Sequence, residues 1–243
     1  MFFAKNKATS LFSVFFAVGL IFFSRKRSAE PAKITSIGKK ARGNPSGFSL
    51  RFSLTVDKNT YLHTDYGEPP QLAIWLESPN GKFFKTVVVT QRPGDNNWMG
   101  KVDCPVTFPI WELKQFVRKR RPDDIQQIRV VTGATPKGGV SRTSVRVPPG
   151  SRWRYFVGVN ASGDFNDAFP HGLKEGGPDD GGNGQPSLVY SGEIVAKIGQ
   201  KDTPKLVGFT DQFTPVDTLR TDFEKITTAR RLVRKIAVEI LKN

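Results

Sequence analysis

Apolar and polar side chains alternate along Phe48–Val56, FSLRFSLTV, the pattern of a strand with one buried face. Gln71–Glu77, QLAIWLE, is a second apolar run and Phe83–Gln91, FFKTVVVTQ, a third, with Ser78-Pro79-Asn80-Gly81 between them. An Asn-Gly between two such runs predicts a hairpin, because both residues tolerate positive φ. Ser144–Val147 and Trp153–Asn160 predict two more strands on either side of Pro148-Pro149-Gly150, and Ser187–Ile198 predicts another. Short strands divided by Gly/Pro turns, with no tandem repeat, predict a mainly β chain. The expected fold is an immunoglobulin-like antiparallel sandwich with one or two short helices, spanning residues 47–243. A single core is expected around Leu72, Ile74 or Trp75, Val87, Val89, Phe156 and Val189.

Two segments carry helical patterns. Trp111–Arg120, WELKQFVRKR, suits a short basic helix. Asp222–Lys235 places Ile226, Ala229, Val233 and Ile236 at helical spacing, and Thr221 with Glu224 resembles a capping box. Its last turns are rich in Arg and Lys, which suits the helix dipole. Ala237–Leu241 then returns as a terminal strand. Ala161–Pro186, rich in Gly, Asp and Pro, reads as a long loop of the functional or mobile kind.

The N-terminus changes the picture of where this body resides. Lys5 and Lys7 precede an apolar run from Leu11 to Phe23, the proportions of a signal-peptide core. Residues 1–27 are read as a signal peptide or membrane anchor and residues 28–46 as a flexible basic linker. Arg25, Lys26 and Arg27 depart from the usual pattern, since positive charge there opposes export, and no small-x-small cleavage site is visible. The expectation is an extracytoplasmic body, periplasmic or secreted, or held at the membrane by its N-terminal segment.

Net charge is +15, unevenly spread: residues 111–154 hold eleven Lys/Arg against three acids, whereas residues 155–219 hold four Lys against nine acids. The run Lys114–Arg121, KQFVRKRR, suits an anionic surface, but it has few interleaved aromatics for base stacking and nucleic acid is not expected. Cys104 is the sole cysteine, so no intrachain disulfide forms. With only His63 and His171 beside it, a four-ligand Cys/His zinc site is excluded. Asp179, Asp180 and Asn183 lie among glycines, where a turn or a calcium loop is conceivable, though the spacing is not that of an EF-hand. There is no Gly-x-Ser-x-Gly elbow, phosphate-binding loop or dinucleotide glycine pattern, so the chain is not read as an enzyme.

One loop stands out. In Val130–Gly139, VVTGATPKGG, Gly133 and Ala134 remove bulk around Thr132 and Thr135, and Pro136, Gly138 and Gly139 interrupt regular structure. Such a loop can offer a threonine hydroxyl to another enzyme or to a phosphate; it is also an ordinary β-turn composition.

The segments LESPNGKFFKTVVVTQ, FPIWELK, VTGATPKGG, VPPGSRWRYFVGVNASGDFNDAFP and GNGQPSLVYSGEI resemble an uncharacterised family of predicted periplasmic proteins. The resemblance covers most of Phe48–Leu241. Members of that family are often encoded beside FMN transferases and membrane redox proteins. It implies such proteins as partners and an accessory or interaction role in a flavin-linked redox system. Val131–Thr135 also resembles the short motif that periplasmic FMN transferases modify: an acid, two variable residues, Ser/Thr, Gly, Ala, Thr. Thr132, Gly133, Ala134 and Thr135 match, and Arg129 stands at the acidic position. That resemblance implies Thr135 as the acceptor of an FMN phosphoester. Three readings follow: a non-catalytic accessory module, a covalent FMN carrier, and a binder of anionic surfaces through the basic helix.

Overall fold

The computed structural model of the chain describes residues 47–98, 104, 106–119, 132–171 and 183–243, with the backbone alone over 116–119. The expected signal or anchor segment, the linker, Arg120, Arg121, Arg129, Asp179 and Asp180 lie outside the described residues.

Among the described residues, ten strands form two sheets. The first four strands are β1 (Phe48–Val56), β2 (Gln71–Glu77), β3 (Phe84–Thr90) and β4 (Thr132–Gly133). They are followed by β5 (Gly139–Val147), β6 (Arg152–Asn160), β7 (Leu188–Val195), β8 (Lys201–Asp202), β9 (Lys205–Phe209) and β10 (Val233–Lys242). The helices are α1 (Lys58–Leu62), α2 (Gln91–Asp95) and α3 (Pro109–Lys119). One sheet runs β5-β1-β10-β8 and the other β4-β3-β2-β6-β7-β9. Pairing is antiparallel apart from the short β3–β4 contact, which is parallel. The mainly-β sandwich that the alternation predicts is the fold, and α3 is the basic helix.

The hairpin between β2 and β3 closes where Asn80-Gly81 predicts it. Gly81 alone takes positive φ, at +67°, and Ser78 N donates to Phe83 O at 3.0 Å. Between the sheets, Leu50, Phe52 and Leu54 of β1 and Ile236, Val238 and Ile240 of β10 meet Leu72, Ile74 and Leu76 of β2 and Val157 and Val159 of β6. Phe52 meets Tyr155 edge-on, with ring centroids 5.6 Å apart.

A second apolar layer covers the other face of the larger sheet. There Ala73, Trp75, Val89 and Val189 pack with Phe108, Ile110 and Trp111 from α3 and its approach. Trp75 stacks on Phe156 at 5.1 Å. Trp111 Nε1 donates to Thr86 Oγ1 at 3.0 Å, which fixes α3 on β3. Gly158 permits the contact beneath the helix, since a Cβ there would stand 3.0 Å from the Phe108 ring.

The expected single core is therefore two. Leu72, Ile74 and Val87 face the other sheet, whereas Trp75, Val89 and Val189, with Phe156, face α3. Every residue of β2 is buried, because both of its faces are covered. Val87 and Val89 would share a face in a regular strand. They do not, because the β2–β3 register slips between Ile74 and Trp75, leaving Val87 as an extra residue that reverses the alternation.

The C-terminal helix predicted over Asp222–Lys235 does not form. Phe223–Lys225 and Thr228–Arg231 are short 3-10 turns, and β10 begins at Val233. Buried Ile226, Ala229 and Leu232 recur every three residues, which a three-residue turn satisfies as well as an α-helix does. From Ile236 the buried positions recur every two, with Val238 and Ile240, and pairing to β1 from Phe48↔Lys242 onward decides the outcome. The Thr221–Glu224 box has no helix to cap.

Glu112, in the first turn of α3, is pushed up to about 7 by burial. Its folded form keeps a proton that the unfolded chain releases near the ordinary value of 4.5, so its contribution to stability falls as pH rises from about 4.5 to about 7. Glu112→Gln removes that loss. Urea melts should show variant and wild type matching near pH 4, with the variant progressively more stable toward pH 7 and the gap constant above it. Parallel curves across the whole range would contradict this assignment.

Candidate binding and modification site

The segment Thr132–Gly139 crosses the side of the sandwich where edge strands β4 and β5 terminate the two sheets. Thr132 and Gly133 add to β3 opposite Val89 and Thr90. Glycine is required at 133 by proximity, since a Cβ would lie 2.9 Å from Val88 Cγ2. Farther along, the Tyr61 hydroxyl donates to the Lys137 carbonyl at 2.7 Å. Gly138 has φ +121° and a Cβ on it would meet Lys58 Cβ at 3.0 Å; Gly139, at φ +71°, completes the swing into β5. The loop is thus tied to β3 at one end, to α1 near its middle and to β1 through β5.

Within it, Thr132 and Ala134 are exposed, while Gly133, Thr135 and Pro136 are half-buried. Among the described residues, no hydrogen bond engages the Thr135 hydroxyl. Behind the loop lies a cavity of about 280 Å³ between the sheets. Its floor is aliphatic, from Leu54, Leu72, Ile74 and Val88, and the loop contributes Thr132, Gly133, Ala134 and Pro136 to its wall. The remaining wall includes Ser141, Arg142 and Thr143 of β5. The structure therefore brings three of the four motif residues onto one cavity and leaves Thr135 off its wall. Sequence reasoning missed Ser141, Arg142 and Thr143. The available signal was the alternation of β5, which runs back to Gly139 rather than starting at Ser144.

The other candidates fall elsewhere. His63 Nδ1 lies 2.5 Å from Asn59 O at the end of α1, and the His171 ring rests against Phe165 at 4.5 Å. Cys104 is buried with its Sγ 3.1 Å from Ser162 Oγ. Lys114, the first cation of the basic run, places its Nζ 2.7 Å from Glu77 and is committed to the strand beneath. Asn183, considered as a calcium ligand, donates its amide to the Gln212 carbonyl. Among the described residues no three His, Cys, Asp or Glu side chains gather as a metal site, and no helix is long and apolar enough to cross a membrane.

Asp164 anchors the start of the Ala161–Pro186 loop. It is 4 % exposed, accepts from the Thr228 hydroxyl, and its main-chain oxygen accepts from Gln185 N at 2.8 Å. Gln185 in turn donates to Thr228 Oγ1 and accepts from Thr227 N, both at 2.7 Å. Burial raises the Asp164 carboxyl above the ordinary range, against the opposing pull of the Thr228 and Gln185 hydrogen bonds. This network joins the loop base to the 3-10 turns before β10, which is a structural role.

No protein family, curated protein or solved structure matches the chain.

The anchoring of the loop is measurable. Tyr61→Phe deletes the bond to Lys137 and should lower unfolding stability by about 1 kcal/mol in urea. It should also speed tryptic cleavage after exposed Lys137 in the native protein. Unchanged stability and cleavage would mean that the loop is held without Tyr61.

Proposed function

We propose that this domain is a non-catalytic accessory or interaction module of an extracytoplasmic, flavin-linked redox system, with Thr132–Gly139 as its contact segment. The observation that carries the reading is the combination of exposure and restraint in that segment. Thr132 and Ala134 face solvent, while the chain around them is tied to β3 and to Tyr61. A loop displayed on a rigid sheet presents one conformation to a partner, which lowers the entropy lost on association. An FMN transferase or a membrane redox protein is the partner that the resemblance implies. The N-terminal apolar run supports placement outside the cytoplasm.

The hydroxyl of Thr135 favours a second reading, that of covalent FMN carrier. It is half-buried rather than enclosed and has no hydrogen bond among the described residues to compete with a transferase. Transfer of the FMN moiety from a flavin dinucleotide, with the Thr135 oxygen forming the new phosphoester as the pyrophosphate bond breaks, AMP leaves and the hydroxyl proton is released, would place redox chemistry on the cofactor while the protein supplies position. Arg129 departs from the motif, because a guanidinium can neither accept a hydrogen bond nor ligate a metal as a carboxylate does.

Intact mass separates the two. Protein purified from its own envelope fraction, and again after co-expression with an FMN transferase, should show the unmodified chain mass and no in-gel flavin fluorescence. A mass gain of FMN less one water that disappears in Thr135→Ala would replace the accessory reading with the carrier reading.

A further inference from the structure

Alternation gives the four-stranded sheet two unlike faces. Leu50, Phe52 and Leu54 of β1 and Ile236, Val238 and Ile240 of β10 fill the interior, and Ser141 and Thr143 of β5 face inward opposite Leu54 and Phe52. The residues between them point away from the sandwich. On that outer face Arg142 stands opposite Ser53, Arg146 opposite Ser49, Lys235 opposite Thr55 and Lys201 opposite Glu239. With Arg51, these strands carry five outward cations and one carboxylate among the described residues. Arg51 holds that carboxylate, its Nε and Nη2 donating to Glu239 Oε1 at 3.0 and 2.7 Å. Arg142, Arg146, Lys201 and Lys235 are exposed and make no ion pair among the described residues.

Packing does not call for these four side chains, and unpaired like charges on one face repel one another. Elsewhere the domain pairs such groups, as in Arg154 with Glu193, Arg220 with Asp222 and Arg234 with Asp57. Between the free cations stand Ser49, Ser53, Ser144 and Ala237, whose short side chains leave the charged ends outermost. Neighbouring strands lie about 4.8 Å apart, so four strands spread the cations over a patch on the order of 15 Å wide. A small-molecule site needs converging groups; a spread array suits an extended anionic surface. The outward residues include no aromatic ring on which a base could stack. The chain itself favours a bilayer, because the apolar run Leu11–Phe23 precedes β1, a strand of this same sheet.

We propose that the outer face of the four-stranded sheet docks on an anionic phospholipid bilayer, with Arg142, Arg146, Lys201 and Lys235 against the headgroups. This is a different surface from α3, whose Lys114 is held by Glu77. It goes beyond the proposed function, because it needs neither a redox partner nor Thr135.

A fluorophore on Ser144→Cys, between Arg142 and Arg146, reads docking in the full chain, since Cys104 is buried and stays unlabelled in the folded protein. Vesicles carrying a headgroup quencher are made of phosphatidylcholine with or without phosphatidylglycerol. Quenching should be strong only with phosphatidylglycerol and should fade as salt is raised. A fluorophore on Lys82→Cys, at the hairpin turn of the other sheet, should be quenched less on both. Each cation near an anionic membrane contributes roughly fivefold, so Arg142→Gln/Arg146→Gln should lower the ratio of docked to undocked protein by about tenfold or more. Lys201→Gln/Lys235→Gln should do the same from the other side of the sheet. Lys82→Gln/Arg152→Gln removes equal charge from exposed positions off this face and should stay within about twofold. Thermal melts establish that each variant is folded. Equal quenching on the two vesicle types, face variants that dock like wild type, or an equal loss in the charge-matched control would overturn the assignment. Weakened retention of the face variants on heparin beads, with docking on vesicles unchanged, would make the occupant a soluble polyanion and overturn it too. An unmodified intact mass leaves a positive result standing, so the carrier reading and the docking face can fail separately.

Discussion

Burial of β2 on both faces is the constraint on which the rest of the structure depends. All seven residues from Gln71 to Glu77 are removed from water, including the two polar ones at its ends. A strand of this kind needs a layer on each side, and the chain provides the four-stranded sheet for one and α3 for the other. The polar ends are satisfied locally. Gln71 Oε1 accepts from the Thr90 hydroxyl at 2.6 Å, and Glu77 accepts from Trp75 Nε1 at 3.0 Å and pairs with Lys114. Trp75 and Trp111 are the largest buried side chains on the outer side, where removal of one indole from water is worth up to about 4–6 kcal/mol in gross terms.

The same constraint explains the position of the cavity. With β2 and β6 central and α3 covering the outer face, the sandwich is filled along its middle and opens beside β5. Ser141 and Thr143 there break the inward pattern that Leu50, Phe52 and Leu54 set on the neighbouring strand. Local departures from good packing in an otherwise consistent fold tend to mark functional positions. The Thr132–Gly139 segment runs across that departure, and its two close-approach glycines, Gly133 and Gly138, are explained by contact with Val88 and Lys58 before any partner is invoked.

Strands with one wet face were legible in the sequence, because their period of two is local: β1 alternates along its whole length, and Asn80-Gly81 marks its turn between β2 and β3. The second apolar face of β2 was not, since an unbroken apolar run does not reveal what covers it. The extra residue at Val87 is invisible in VVV, where all three candidates are alike. The C-terminus was misread because a repeat of three fits both α-helix and 3-10 turn, and the pairing that decides it joins Phe48 to Lys242 at opposite ends of the domain. At the site, Thr132–Thr135 was legible as a motif. Ser141 and Thr143 become inward residues only once β5 is in register with β1, and Tyr61 reaches Lys137 across 76 positions.

Equilibrium unfolding of Trp75→Ala tests the two-sided burial of β2 most directly. If α3 and the stacked Phe156 cover that face, the variant loses about 3–5 kcal/mol, as large-to-small changes at fully buried aromatic positions do. A loss under about 1 kcal/mol, typical of a side chain facing water, would contradict it.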